Sequence, residues 1–458
     1  MEFANKNVLV IGAGISGFAA AKIAKKFGAD VTLSDAKAEA ELTKYDFSEL
    51  RSLGINLKFG KQSDELLDGV DFIIVSPAVP LRIPLLQSAI KRNVKIISEV
   101  ELAYDLAKSP ICAVTGTNGK TTTVTLLGLL LETAYNKVGV GGNIGIPLSE
   151  VALEIGEGGC IAAEISSYQM EATNNFHPHV SAILNVTPDH LKRHGTMEVY
   201  QEMKEKIFAQ EGENDFVVLN YDDERTRLIR NSEFGIRNCP KVYYFSRKHE
   251  LEEGAFLIGD ELVIKKNGEL QKLCTIDELG IKGAHNVENA LAASMVAFCA
   301  GAKPDKMRQV LIDFKGVEHR IEFVREINGV KYYNDSKATN TDSAIKALET
   351  FDGHIILIAG GDDKGTDLTD FMQLVKARVD ELILVGDAAA RFKQAAIDSG
   401  FNANDIYEAG YSMDKAIEIA KNLAHAPQVV LLSPACASFD MYDGFESRGK
   451  DFKRIVNS

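Results

Sequence analysis

The segment Thr115-Gly116-Thr117-Asn118-Gly119-Lys120-Thr121-Thr122 carries the plainest chemical signal in the chain. It follows the apolar run ICAVT and opens a helical pattern, the context in which glycine-permitted turns aim several backbone N–H groups at a phosphate chain. Lys120 is then placed to neutralise β- and γ-phosphate oxygens, and the Thr121 hydroxyl to ligate Mg2+. Val114 occupies the site where the longer form of such a loop has its first glycine, so Gly116 gives a shortened G-T-N-G-K-T. A carboxylate partner for the metal belongs at the end of a neighbouring strand. Glu164, which closes the apolar run CIAAE, meets that requirement.

A second glycine turn, Gly12-Ala13-Gly14-Ile15-Ser16-Gly17, stands between the first strand and the first helix, with Asp35 ending the next strand. Glycines there let the backbone approach a bound phosphate, and the acid suits a ribose hydroxyl. Two readings stay open on this segment alone: a nicotinamide-dependent oxidoreductase, or a tight turn with no ligand. His190 and His194 in DHLKRH have i,i+4 spacing, but the segment lacks the glutamate of H-E-x-x-H, which speaks against zinc.

These residues need a scaffold. Residues 1–98 alternate the strand-like runs NVLVIG, VTLSD, DFIIVSP and VKIIS with helical patterns, the first over about 16–28. Unbroken Val/Ile/Leu strands between amphipathic helices indicate a parallel sheet covered on both faces. Residues 99–303 begin a second sheet with ICAVTG, continue through a helix over about 120–134 and the runs CIAAEIS and VSAILNV, and end in a helix over 286–302. Between 215 and 275, FVVLN, KVYYF, AFLIG and ELVIKK alternate with polar turns, which suggests a smaller antiparallel appendage. Residues 304–458 return to α/β alternation with VKYYND, HIILIAGG, ELILVG and QVVLLSP. The expected fold class is α/β in three domains. They are an N-terminal Rossmann-like parallel sheet, a central P-loop ATPase-like domain with the antiparallel appendage, and a C-terminal Rossmann-like domain.

Bulk composition agrees. At ~150 residues per domain, 458 residues suit three domains. Lys and Arg number 51 against 65 Asp and Glu, a net charge of −14 that repels a phosphate backbone and argues against nucleic acid as partner. The 6 cysteines include no C-x-x-C pair, which fits reduced thiols. The apolar stretch VTLLGLLLET contains Glu132 and falls short of the ~20 residues a bilayer span needs. The first strand starts too early for a signal peptide, so a cytoplasmic protein without a membrane partner is expected.

Taken in chain order, GTNGKTTT, GGNIGIP (141–147), AEISSYQME (163–171), NVTPDHLKRH (185–194), GAHNVENALAA (283–293), EHR (318–320), NDSKATN (334–340), SPACASFD (433–440) and DGFESRGKDF (443–452) closely resemble the ATP-dependent Mur ligases of peptidoglycan synthesis. The resemblance spans all three blocks, and the glycine turn, the GTNGKT loop, DSKATN and SPACASFD match the branch that adds D-glutamate. It implies a ligase, working as a monomer, whose substrates are ATP, UDP-N-acetylmuramoyl-L-alanine and D-glutamate. The acceptor carboxylate takes the γ-phosphoryl of ATP, and the amine of D-glutamate attacks the acyl phosphate. Members adding L-alanine and folate polyglutamate synthetases are the nearest alternatives; a nicotinamide oxidoreductase and a non-catalytic nucleotide-binding regulator are more distant ones.

The resemblance also assigns residues. Gly116, Thr117, Asn118, Gly119, Lys120, Thr121, Thr122, Asn289, Arg320 and Asp335 would bind ATP, with Lys120, His190, Lys204 and Lys337 catalytic. Thr121, Glu164, His190 and Lys204 would hold two Mg2+ ions, Lys204 through a carbamate formed with CO2, because a protonated lysine would repel the cation. Gly14, Ile15, Ser16, Asp35, Lys37 and Asn143 would bind the UDP substrate; Thr339, Lys364, Ser438 and Phe445 match the D-glutamate positions. Two departures touch the UDP end: Ala36-Lys37 stands where the family often has Thr-Arg, and Ala78 replaces a frequent glycine.

Overall fold

Every strand of the first sheet pairs in parallel, and its alternate residues point to two different cores. The computed structural model describes residues 2–42, 46–229, 240–363 and 365–458. The first sheet comprises β1 (Asn7–Ile11), β2 (Asp30–Asp35), β3 (Asn56–Phe59), β4 (Phe72–Val75) and β5 (Lys95–Ser98), in the order β3-β2-β1-β4-β5. Val8 and Val10 pack with Ala20 and Ala24 of the helix Ile15–Lys26; Leu9 and Ile11 pack with Leu85 and Leu86 of the helix Pro84–Lys91. Burial on both faces explains the unbroken apolar runs. The strand order reverses at β1 and β4, so their carboxyl ends open a crevice for a ligand.

The second sheet holds β6 (Ile111–Thr115), β7 (Val138–Gly142), β8 (Cys160–Glu164), β9 (Val180–Ile183), β10 (Phe216–Asn220), β11 (Lys241–Ser246), β12 (Gly254–Ile258), β13 (Glu261–Lys266) and β14 (Glu269–Thr275). Its order is β14-β13-β12-β11-β10-β9-β6-β8-β7. The antiparallel appendage expected over 215–275 is smaller than the sequence suggests. FVVLN and KVYYF, as β10 and β11, extend the parallel sheet, and β12 also joins β11 in parallel. Only β12-β13-β14 is antiparallel. The connections decide this: the chain crosses from β9 to β10 through the helix Met197–Glu205, whereas β13 and β14 are joined by Asn267-Gly268, both with positive φ (52° and 80°), a two-residue hairpin turn.

The third sheet contains β15 (Glu322–Ile327), β16 (Val330–Asn334), β17 (Ile355–Gly360), β18 (Val379–Val385), β19 (Ile406–Gly410) and β20 (Val429–Leu432), in the order β15-β16-β20-β17-β18-β19. All pairs are parallel except β15 with β16. Two compact units result: Met1–Leu279 with Val287–Phe314, and Gly280–Asn286 with Lys315–Ser458. The helix Pro304–Asp313 buries Met307 and Leu311 and packs on β14 and the helix Lys120–Leu131, so the first unit runs beyond residue 303. Among the described residues no helix is long and apolar enough to cross a membrane. Cys112, Cys160, Cys274, Cys299 and Cys436 are free thiols.

Candidate active site

The loop after β6 is held from three sides before any ligand is considered. Gly116 and Gly119 take φ of 154° and 83°, and a Cβ on Gly119 would lie 2.3 Å from Asn289 Oδ1, so that position requires glycine. Asn118 N donates to Asn185 Oδ1 at 2.8 Å, and Asn185 Nδ2 donates back to Asn118 O at 3.2 Å. Thr117 Oγ1 donates to Thr187 O at 3.1 Å and accepts from Thr187 N at 3.0 Å. Lys120 Nζ donates to Gly116 O and Thr117 O, both at 2.8 Å, which sets the ammonium inside its own loop. Thr121 and Thr122 are buried in the first turn of the following helix, and Thr123 Oγ1 reaches Asn289 Oδ1 at 3.3 Å.

Beside this loop, β8 ends in buried Glu164. Asn143 Nδ2 donates to its Oε1 at 2.8 Å and Asn143 N to its backbone oxygen at 2.8 Å, so Asn143 sits against the carboxylate. Glu164 Oε2 is buried and no donor among the described residues satisfies it. An unmatched carboxylate oxygen at the end of the strand paired with β6, taken with the Thr121 hydroxyl on the helix that follows β6, is a hard-oxygen donor set, and it fits a magnesium ion.

Lys204 is 1% exposed on the helix Met197–Glu205, with Nζ 4.4 Å from the centre of the Tyr200 ring. Burial drives its pKa well below the usual lysine value; the charge of Lys120 adds to this and Asp189 opposes it. Burial therefore favours the neutral amine, which is the nucleophilic form. Tyr200 ties this helix to the phosphate loop, its OH lying 3.3 Å from Thr117 Oγ1.

His190 has a left-handed backbone (φ 56°) and its Nδ1 lies 3.0 Å from the Tyr168 OH. His194 is buried, with Nε2 3.0 Å from Ser167 Oγ. The two rings therefore engage separate hydroxyls.

At the first sheet, Asp35 accepts from Ala13 N at 2.8 Å and Lys37 N at 2.9 Å, which locks the carboxylate against the glycine turn. A Cβ on Gly17 would lie 1.9 Å from Gly12 O, so glycine is what lets the helix start so close to β1. A cavity of about 430 Å3 opens there, lined by Gly12, Asp35, Gln62, Ala78, Val79 and neighbouring residues. Ile15 is exposed beside it.

In the second unit the candidate residues gather at the carboxyl ends of β16, β20 and β17, where the strand order reverses. Asp335 is buried and accepts from Ser433 Oγ at 2.8 Å and Ile321 N at 3.2 Å. Arg320 keeps a buried Nε without a hydrogen-bond partner among the described residues. Lys337 Nζ lies 5.3 Å from the centre of the Phe445 ring, and its N donates to His319 O at 3.1 Å. Thr339 is half-buried, and Ser438 is buried with its carbonyl accepting from Tyr442 N at 2.8 Å. Lys364 lies outside the described residues.

Several supports escaped sequence reading. Buried Arg448 donates to Ser336 Oγ (3.0 Å), Ser336 O (2.8 Å), Ala437 O (3.0 Å) and Cys436 O (3.1 Å), stitching DSKATN to SPACASFD. Asn334 Nδ2 lies 2.8 Å from His319 Nδ1. The signal for Arg448 was its place in DGFESRGKDF, but only a structure shows which carbonyls it meets.

Burial pushes the Asp335 carboxyl from 3.8 up to about 7, against the opposing pull of Arg320 and of the Ser433 and Ile321 hydrogen bonds. The folded state thus holds a proton that the unfolded chain has released. That stabilisation is complete below the unfolded value of 3.8 and is lost as pH rises through about 7. Urea unfolding should therefore show wild type losing stability relative to Asp335→Asn from about pH 4 to about pH 7, by at most ~4 kcal/mol. Parallel pH profiles would contradict this.

Comparison with known proteins follows the same three segments. Residues 6–98 match the MurD-like N-terminal domain of Mur ligases, 114–297 the Mur ligase middle domain, and 319–436 the Mur ligase glutamate ligase domain. A UDP-N-acetylmuramoylalanine--D-glutamate ligase of Thermoanaerobacter pseudethanolicus is 45% identical over 456 residues, covering 100% of this chain and 99% of the relative. One of Pelotomaculum thermopropionicum is 44% identical over 457 residues, covering 100% and 98%. Among solved structures, UDP-N-acetylmuramate-alanine ligase MurC of Thermotoga maritima aligns with a TM-score of 0.60 at 23% identity, covering 99% of each chain. A MurF ligase of the same organism, in complex with ADP, aligns at 0.59 and 16% identity, covering 99% and 98%. These structural likenesses speak to the fold.

Proposed function

This chain belongs to the Mur ligase family, and we infer from that membership that it is an ATP-dependent ligase joining D-glutamate to UDP-N-acetylmuramoyl-L-alanine in peptidoglycan precursor synthesis. The observation that carries the reading is one cluster: a lysine-bearing phosphate loop, a carboxylate with an unmatched buried oxygen, and a buried lysine whose surroundings favour the neutral amine. The choice of D-glutamate rests on full-length relatives of that name.

A carboxylate resists amine attack because oxide would have to leave; transfer of the γ-phosphoryl turns that oxygen into phosphate. Two anions must meet for this, so the protein's work is positioning and charge neutralisation. Lys120 neutralises the transferring group, and the loop N–H groups hold the phosphate chain. Thr121 and Glu164 would hold one Mg2+, with His190 and Lys204 serving a second. Such an ion, when bound, offsets phosphate charge. Lys204 gains an anionic oxygen by reaction with CO2: its nitrogen lone pair forms the N–C bond, one proton leaves, and a carbamate remains.

Residues 1–98 would hold the UDP substrate, with Gly14, Ile15 and Ser16 at the pyrophosphate and Asp35 and Lys37 at the uridine; Asn143 would meet the sugar-linked portion. Residues 99–303 would carry the ATP chemistry, with Asn289 serving the nucleotide, as would Arg320 and Asp335 of residues 304–458. Residues 304–458 would take the amino acid, where Lys337 assists the phosphates and Thr339, Lys364, Ser438 and Phe445 receive D-glutamate, whose two carboxylates need cationic and hydroxyl donors. A reaction consuming ATP and a UDP-linked sugar belongs in the cytoplasm.

The test is phosphate release with ATP, Mg2+ and UDP-N-acetylmuramoyl-L-alanine across a panel of amino acids. D-glutamate should stimulate it strongly; preference for L-alanine or glycine would overturn the assignment.

A further inference from the structure

Arg193 is 11% exposed and spends its guanidinium on two separate segments. Its Nε and Nη2 donate to the two oxygens of Glu171 at 2.8 Å each, which already supplies a counterion. The remaining N–H groups go to backbone carbonyls of the loop after β4: Nη1 to Ala78 O at 3.3 Å, and Nη2 to Pro77 O at 3.3 Å and Val79 O at 3.1 Å. The guanidinium carbon also lies 4.8 Å from the centre of the Tyr168 ring, whose OH is 3.0 Å from His190 Nδ1.

The loop it grips is part of the substrate cavity. Ala78 and Val79 line that cavity together with Gly12 and Asp35. Val79 N closes a turn onto Ser76 O at 2.9 Å, and Ser76 Cβ lies 2.6 Å from where a Gly12 Cβ would be, so loop and glycine turn are in direct contact.

We propose that Arg193 is a positioning residue that makes the UDP-substrate cavity and His190 one mechanical unit, setting the loop Pro77–Val79 and, through Tyr168, the imidazole. This rests on the ligase reading above. The planar fork with five N–H donors is what allows two carboxylate oxygens and three carbonyls to be served at once; lysine's point charge cannot do so. Filling the cavity at one end of this bracket thereby fixes the group beside the reacting carboxylate at the other, and a small misplacement there is costly to turnover.

The test uses the full chain and two variants, Arg193→Lys and the paired Arg193→Met/Glu171→Met. The pair removes both buried charges together, so it avoids stranding one of them. In both variants we expect KM for UDP-N-acetylmuramoyl-L-alanine to rise about tenfold and kcat to fall about tenfold, with KM for ATP within about twofold of wild type. Calorimetric affinity for UDP-N-acetylmuramoyl-L-alanine should weaken in parallel with KM. A paired variant that keeps the wild-type thermal midpoint and wild-type KM and kcat would overturn the proposal, because Arg193 would then be filling space only. Should the pair not fold, Arg193→Lys decides the matter by the same criteria. Wild-type protein that binds the UDP substrate yet releases no phosphate with D-glutamate would remove the ligase reading instead; unchanged affinity in Arg193→Lys would then overturn the coupling separately.

Discussion

Lys120→Met abolishes phosphate release, by about a thousandfold or more in kcat, while leaving the fold and the affinity for UDP-N-acetylmuramoyl-L-alanine near wild type. The magnitude follows from removing a preorganised charge aimed at the transferring group, worth roughly 3–4 kcal/mol or more in a site screened from water. The selectivity follows from position. Lys120 Nζ bonds carbonyls of its own loop, Gly116 O and Thr117 O, whereas the UDP-substrate cavity is lined by Gly12, Asp35 and Ala78 at the first sheet. Steady-state kinetics and calorimetry on the same preparation check both halves. A variant with kcat within tenfold of wild type would show that the loop does not bind the reacting phosphates.

Lys204→Met gives two effects of opposite sign: turnover falls by about a hundredfold or more, and the thermal midpoint rises. Burying an ionisable amine at 1% exposure, facing the charge of Lys120, costs stability that a methionine of similar length does not incur. Activity falls because methionine cannot form the carbamate that would supply an anionic oxygen. The pH argument has a definite direction. A lysine pKa lowered by burial leaves the amine neutral, and so reactive toward CO2, further down the pH scale than a surface lysine; acidification returns the proton and releases CO2. Wild-type enzyme depleted of CO2 under mild acid should therefore regain activity with bicarbonate at neutral pH, and Lys204→Met should not respond. Full activity in the variant would leave the lysine a packing residue.

Much of the scaffold was legible in sequence because its strands are buried on both faces. NVLVIG, ICAVT, CIAAE and HIILIAGG have no polar alternation to confuse them, and each is a parallel strand. The strands β3, β7, β14, β15 and β19 were missed for the complementary reason: all five lie at sheet edges. NLKF, ELQKLCT, EFVREI and IYEAG carry exposed charged residues, and VGVGG is mostly glycine. Asn328-Gly329, with φ of 50° and 80°, is the hairpin turn that joins β15 to β16, and an Asn-Gly pair between EFVREI and VKYYN could have revealed it. FVVLN and KVYYF were read as antiparallel because short strands between polar turns suggest hairpins; the intervening crossovers are invisible to strand composition.

The site divides in the same way. Glu164 announced itself as an acid closing an apolar run and Lys120 by its place in the glycine-rich loop, while Asp335 drew notice by resemblance. Their supports did not: Asn185, Tyr200, Arg193 and Arg448 act through carbonyls and hydroxyls from distant segments, and no local spacing encodes those meetings. Lys204 lay between. Its place in VYQEMKEKIF drew notice by resemblance, but its burial, deeper than that of Lys206 two residues on, depends on how the helix Met197–Glu205 packs.

The most direct test follows an oxygen atom. If the acceptor carboxylate of UDP-N-acetylmuramoyl-L-alanine is labelled with 18O and the enzyme is given ATP, Mg2+ and D-glutamate in unlabelled water, activation by phosphoryl transfer predicts a single labelled oxygen in each phosphate released. Peptide formed alongside phosphate that carries no label would contradict the account.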